Sequence, residues 1–193
     1  MDVRTYALRE LGQAVRVVDA LVASAQVMEQ IAEAGQRIAA AVHDGRSLFF
    51  CGNGGSAAEA THLAAEFVGR FRCERDGFSA ISLSDNSSVV TAVGNDYSFE
   101  DVFARQVRAY ARPGDILVAM STSGNSHNVI RAAKAARQIG VYVIAMTGER
   151  GGGLAATGDT TIAVPSQDTA HIQEAHLIIG HILAGFAEQV VAE

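Results

Sequence analysis

The chain has 193 residues, 49% of them apolar, and a formal net charge of −6 at pH 7. That is enough apolar material for one domain with a substantial core, while the short, broken apolar runs exclude a membrane span. The acidic balance argues against a general nucleic-acid binder, which needs a basic surface. It does not argue against a small phosphorylated ligand, because helix N-termini and turn amides bind phosphate without net positive charge.

The first residues, Met1-Asp-Val-Arg-Thr-Tyr6, lack the apolar core of a secretory signal. Two cysteines, Cys51 and Cys73, suit reduced thiols, so a cytoplasmic protein is expected. Residues 4–43 then carry two stretches of helical periodicity. In the first, Tyr6, Leu8, Leu11, Val15, Val18 and Leu21 make a repeating apolar face; in the second, Met28, Ile31, Ile38 and Val42 share a side with Gly35. Gly35 weakens that helix while letting another backbone pack close. Ser24 is placed to break the two stretches and cap the second. Two amphipathic helices ahead of the first strand must bury their stripes, on a flank of the same domain or at a subunit interface. The interface is the expectation.

From Arg46 onward short apolar runs alternate with helical ones. The pattern predicts strands at Ser47–Cys51, Phe78–Leu83, Asp115–Met120, Val141–Met146 and Thr160–Val164. It predicts helices at Ala57–Arg70, Phe99–Arg112, Asn128–Ile139 and roughly Ala170–Ala192. Such alternation implies a parallel sheet covered on both faces, with ligands beyond the carboxyl ends of the strands. Small polar residues crowd that end: Gly52-Asn-Gly-Gly-Ser56, Ser84–Ser88, Ser121-Thr-Ser-Gly-Asn-Ser126 and Thr147–Gly153.

Gly52–Ala57 matches a loose dinucleotide-binding fingerprint between a strand and a helix. The acidic residue that a dinucleotide site wants about 20 residues on is misplaced, since Glu74 precedes the second strand and Asp85 follows it. A tight turn that uses glycines only for backbone geometry fits equally well. Ser121, Thr122, Ser123 and Ser126 put four hydroxyls in six residues ahead of a helix, with Gly124 permitting an anion nest. One helix cap does not need so many hydroxyls, which favours a seat for a phosphate dianion. His62 and Glu66 lie at i and i+4 on one helix face, as a metal or acid/base pair or as a weak surface contact; spacing alone favours the contact. On the last helix Gln173 and His181 are about 12 Å apart along the axis. They could share a site only with a metal or substrate between them, and His171, His176 and His181 could equally have separate roles. Gly180 leaves a gap beside His181, suited to a ligand or a close backbone approach.

Taken together, Cys51-Gly-Asn-Gly-Gly-Ser-Ala-Ala58, His62-x-x-x-Glu66, Gly69-Arg-Phe71, Val93-Gly-Asn-Asp-Tyr97, Ser121–Ser126, Thr147-Gly148 and Ile172-Gln-Glu-x-His176 resemble the phosphoheptose isomerase branch of the sugar-isomerase (SIS) domain family. The resemblance runs from about residue 4 to the C-terminus. It implies a single SIS domain over residues 1–193, an α/β/α sandwich of flavodoxin type with a five-stranded parallel sheet, and a helical segment 1–44 used in oligomerisation. It implies a homotetramer with active sites at subunit interfaces and one Zn²⁺ per subunit, held by His62, Glu66, Gln173 and His181. Sugar-phosphate contacts carry over to Asn53, Gly54, Gly55, Asn95, Asp96, Ser121, Thr122, Ser123, Ser126 and Gln173, and are extended to Ser56. Some family members have an Asp before the Ile-Gln-Glu motif where this chain has Ala170; Asp168 stands two residues earlier.

The implied reaction converts D-sedoheptulose 7-phosphate to D-glycero-D-manno-heptose 7-phosphate through an enediolate, with Glu66 as carbon base and His181 as proton shuttle. The rival readings are a non-catalytic SIS scaffold, such as an adaptor for a replication initiator, and an isomerase of another sugar phosphate. Adaptors of that kind lack the metal set that this chain carries.

Overall fold

The computed structural model describes residues 2–192. Asp2 caps the first helix, α1 (Val3–Ala23), accepting from the backbone N–H groups of Arg4 and Thr5 at 3.0 and 3.1 Å. Ser24 ends α1 in an extended conformation and its Oγ accepts from Val27 N at 3.3 Å, so it is the N-cap of α2 (Ala25–His43) as the sequence predicts. The remaining elements follow in the order β1 (Leu48–Cys51), α3 (Gly55–Val68), β2 (Ala80–Ser82), α4 (Ser87–Asp96), a 3₁₀ turn (Phe99–Asp101), α5 (Val102–Tyr110), β3 (Ile116–Ser121), α6 (His127–Gln138), β4 (Tyr142–Gly148), α7 (Gly152–Ala155), β5 (Thr160–Val164) and α8 (Thr169–Ala192).

The five strands form one sheet in the order β2-β1-β3-β4-β5, and each adjacent pair is parallel. Burial decides this arrangement. β1 and β3 are buried along their whole length, the signature of central strands covered on both faces. Alternate residues feed two separate cores. Leu48 and Phe50 of β1 join Val118 and Met120 of β3 beneath α2, α3 and α8. Phe49, Cys51, Leu117 and Ala119 face the other way, against α5 and α6. The result is the expected three-layer α/β/α sandwich.

The topology sets up the site. From β1 the chain passes to β2 on one side, and β3 lies on the other, so the strand order reverses between β1 and β3. Helix α3, which follows β1, lies over one face, while α6, which follows β3, lies over the opposite face. A crevice therefore opens at the carboxyl ends of β1 and β3, where the glycine turn and the serine loop both fall.

The structure departs from the sequence reading at several points along the chain. The segment after β2 forms the helix α4, although its Ser-Ser-Val-Val-Thr start has poor helix propensity; Asn86 compensates by capping Val89 N at 3.1 Å. The predicted helix Phe99–Arg112 is a 3₁₀ turn followed by the shorter α5. The stripe on α1 is not buried within the chain: Leu8 and Leu11 are each 65% exposed, and Leu21 alone of the six is buried. On α2, Gly35 does admit a close neighbour, but it is the Phe186 ring of α8 rather than a backbone.

Candidate active site

The Gly52–Ser56 turn leaves β1 with Gly54 at φ 57°, ψ −121°, a conformation that a β-carbon strains, and starts α3 without a side-chain cap. Gly52 is tied to the next strand's loop, since the Ser84 hydroxyl donates to its carbonyl at 2.9 Å. The side chains of Asn53 and Asn128 exchange two hydrogen bonds, both 2.8 Å, so the glycine turn is joined to the first turn of α6 across the crevice. Asn128 is almost wholly buried, and its carbonyl oxygen also accepts from Val129 N.

The serine loop after β3 turns at Gly124, which has φ 66°; a β-carbon there would fall 2.5 Å from the carbonyl carbon of Gly151. Ser126 occupies the N-cap position of α6, yet its hydroxyl makes no capping bond. It pairs instead with Ser121 Oγ at 3.0 Å, and Ser123 Oγ lies 3.4 Å from the same atom. Three hydroxyls thus converge at a helix N-terminus, where partial positive charge and amide groups suit an anion. Beside them a cleft of about 230 Å³ is bordered by Thr122, Ser123, Asn125, Arg150, Gln167 and Ile172.

The metal candidates meet lower down, between α3 and α8. His62 Nε2 and His181 Nε2 are 2.8 Å apart, and Glu66 Oε1 is 3.4 Å from His62 Nε2. One donor atom from each of the three residues fits within 4.8 Å of the others. Two imidazole nitrogens at this distance aim at one point and share a single proton. Replacing that proton with a cation, with the carboxylate completing the set, suits zinc and other first-row ions. The pair that spacing alone leaves weak therefore gains a third member from 115 residues further along the chain. The helices meet here because Gly180 lies against Leu63: a β-carbon on Gly180 would fall 2.6 Å from Leu63 Cδ1. The gap beside His181 is filled by the Leu63 side chain.

Gln173 stands two turns above His181 on α8, and its amide lies against Gly55. It borders a cleft of about 460 Å³ together with Gly55, Ala58, Glu59 and His62. The structure thus places Gln173 between the glycine turn and the trio. Ser56 is buried in the first turn of α3. Asn95 and Asp96 end α4, are exposed, and bond to each other at 2.9 Å. The following 3₁₀ turn pairs Glu100 with Arg131 of α6. Asp168 caps α8, accepting from Ala170 N at 2.9 Å.

Two further buried side chains stand around this site, Glu59, which belongs to no motif in the sequence, and His176, the last residue of the Ile172-Gln-Glu-x-His176 motif. Glu59 lies 5% exposed in the wall of the larger cleft, and neither carboxylate oxygen has a hydrogen-bond partner among the described residues. Burial pushes its carboxyl up to about 7. Its place one turn before His62 is the only hint that the sequence offers. His176, fully buried, bonds the Thr147 carbonyl through Nε2 at 3.3 Å and anchors α8 to the end of β4. Burial pushes its imidazole down to about 4, with the Thr147 bond opposing.

Residues 13–148 match the SIS domain family. A phosphoheptose isomerase of Rhodospirillum rubrum is 52% identical over 161 residues, covering 83% of this chain and 86% of that protein. The chain belongs to the phosphoheptose isomerase family of SIS-domain proteins. Solved structures agree. The phosphoheptose isomerase of Neisseria gonorrhoeae superposes with a TM-score of 0.91 at 37% identity, covering 97% of this chain and all of that one. The one from Francisella tularensis superposes with a TM-score of 0.92 at 33% identity, covering 98% and 100%.

Proposed function

We propose that the chain interconverts D-sedoheptulose 7-phosphate and D-glycero-D-manno-heptose 7-phosphate as a ketose–aldose isomerase. The observation that carries this reading is the meeting of His62, Glu66 and His181 in the crevice-lining helices of a chain 52% identical to a phosphoheptose isomerase. The phosphate sits on the Ser121, Thr122, Ser123 and Ser126 hydroxyls, whose fixed place turns remote binding energy into orientation of the sugar. The carbon chain passes along Asn53, Gly54, Gly55 and Ser56 and the Gln173 amide towards the trio, with Asn95 and Asp96 at the outer rim. Because the Asn53 side chain is engaged by Asn128, its contribution is made through the backbone.

Glu66 takes a proton from C1 of the open-chain ketose and returns it to C2, while His181 moves the proton between the two oxygens. His62, Glu66 and His181 would hold Zn²⁺, with Gln173 as the further donor of the set, and the ion supplies polarisation of the carbonyl oxygen when bound. We further propose a homotetramer working in the cytoplasm. The exposed stripe Ile178, Ile182, Phe186 and Val190 on α8, beside the uncovered face of α1, supports assembly, and the two free thiols suit a reducing compartment. A scaffold role has no use for the trio.

The test is Glu66→Gln, which keeps shape and removes the base. Turnover of sedoheptulose 7-phosphate and exchange of its C1 hydrogen with solvent should both be abolished while circular dichroism is unchanged. Near-normal turnover would remove Glu66 from the chemistry, and absence of turnover with any ketose phosphate in the unmodified protein would restore the scaffold.

A further inference from the structure

His181 is held from behind by a part of the chain that belongs to neither of the two helices forming the trio. The Phe71 ring stacks on its imidazole with centroids 5.2 Å apart and planes 17° from parallel. The His62 ring meets the same imidazole edge-on at 5.1 Å and 73°. Phe71 lies in the connection between α3 and β2, where residues 69–79 form no helix or strand. The sequence of this connection is rich in charge and has nothing that by itself would fix a ring in place.

What fixes it is Glu188. This carboxylate, 1% exposed, accepts from three successive backbone N–H groups, Phe71 and Arg72 at 2.7 Å and Cys73 at 3.2 Å, and from Arg75 Nε at 3.0 Å. Burial pushes the carboxyl up, but those amides and the guanidinium together outweigh it and hold the group below its ordinary value. Arg75 then donates to the carbonyls of Glu66 at 2.9 Å, Phe67 at 2.9 Å and Gly69 at 3.0 Å. These are acceptors at the end of α3 that the helix itself leaves unpaired. Glu188, Gly185 and His181 occur at intervals of three and four, on one face of α8. The ring packs over Gly185, where a β-carbon would sit 3.4 Å from Phe71 Cε1, at contact distance. One helix face thus carries an imidazole, a gap and an anion, and the connection is laid across all three.

We propose that Glu188 and Phe71 are positioning residues: the Glu188–Arg75 clamp fixes the residue 69–76 connection, and the clamped Phe71 ring sets the orientation in which His181 faces His62 and Glu66. The inference rests on the isomerase reading for its effect on turnover, but its geometric part stands without it. Outer contacts that orient a ligating or proton-transferring imidazole commonly matter by about 10–100-fold in metal affinity or activity.

The test uses the full-length protein labelled with ¹³C at the histidine ring, observed both metal-free and with Zn²⁺ added, alongside kinetics with sedoheptulose 7-phosphate. Phe71→Leu removes the ring and leaves the clamp; Glu188→Gln loosens the clamp and leaves the ring; Phe71→Tyr restores a ring. Expected are loss of the upfield ring-current shift of His181 in Phe71→Leu and its weakening in Glu188→Gln. Zn²⁺ affinity by chelator competition should fall about 10–100-fold in both, kcat should fall with it, and KM should stay within about threefold. Phe71→Tyr should recover all of these. If Glu188→Gln does not fold, Phe71→Leu decides the matter alone. An unchanged His181 signal and Zn²⁺ affinity in Phe71→Leu would overturn the proposal, as would a Glu188→Gln protein that loses only thermal stability. An inactive parent protein in which the signal and the affinity still respond would overturn the isomerase reading and leave the clamp standing.

Discussion

Gly180→Ala tests whether one missing β-carbon sets the spacing of the two helices that carry the trio. In a helix interior the change should stabilise by about 1 kcal/mol through propensity alone. Here the new carbon would fall 2.6 Å from Leu63 Cδ1 and 3.0 Å from Cγ, and Leu63 is 1% exposed. Carbon atoms pack at roughly 3.5–4.0 Å, so the overlap is about 1 Å and either Leu63 leaves its rotamer or the helices part. Overpacking of this kind costs about 1–3 kcal/mol, giving a net loss of roughly 0–2. Leu63→Ala alone should cost about 2–5 kcal/mol through its cavity. In that background the clash is gone, so Gly180→Ala should become stabilising by about 1 kcal/mol. Urea unfolding of the parent, both single variants and the double variant, at one protein concentration, measures the coupling. A cycle that closes additively within about 0.5 kcal/mol would refute the close-approach argument. A displacement of about 1 Å at His181 should also lower kcat by as much as 10²-fold in Gly180→Ala, with partial recovery in the double variant.

Gly55→Ala would place a carbon 2.6 Å from Gln173 Oε1; the amide can swing away, so stability should change by less than about 1 kcal/mol while kcat/KM falls at least tenfold, read by thermal unfolding and steady-state kinetics. Ser126→Ala removes a hydroxyl that caps no helix but bonds the buried Ser121 Oγ, so stability should fall by only about 1 kcal/mol; a lost bond to a charged phosphate should raise KM by roughly 10–100-fold and weaken competition by inorganic phosphate. His176 has a folded-state value near 4 against about 6.5 unfolded, so between those pH values the unfolded chain takes up a proton that the folded one refuses. Stability should therefore fall as pH drops through that window, by roughly 3 kcal/mol in full, and the difference between pH 7 and pH 4 should shrink by that amount in His176→Leu. An unaltered pH difference would show that the ring ionises freely in the fold.

The layered fold was legible because each strand is a short apolar run bounded by turn residues; Thr160–Val164 is observed as predicted, and the other strands shift by one or two residues at their ends. Helix α4 was not legible, since a Ser- and Val-rich start conceals it and a single capping Asn86 carries the signal. In the site, the unusual density of hydroxyls at Ser121–Ser126 was visible in one dimension. The His62–His181 meeting was not, because it depends on how α3 and α8 pack through Leu63 and Gly180. Resemblance had to join those halves. Glu59, Asn128 and Glu188 act through burial and neighbours distant in sequence, as with Cys73 and Glu188, 115 positions apart, and no local pattern marks such partners; Phe71 stands in a motif, Gly69-Arg-Phe71, that gives no sign of its contact with His181.

The Asn53–Asn128 pair has a consequence for how the reaction would respond to acidity. It joins the β1 turn to the start of α6 at the place where the sandwich would otherwise split, and it does so with two primary amides, neither of which gains or loses a proton in the working range of a folded protein. A carboxylate–histidine bridge there would have made the width of the crevice itself a titrating variable. With an uncharged rivet, protonation of the groups that do the chemistry leaves this join in place, so the width of the crevice at the glycine turn would not enter a pH–rate profile.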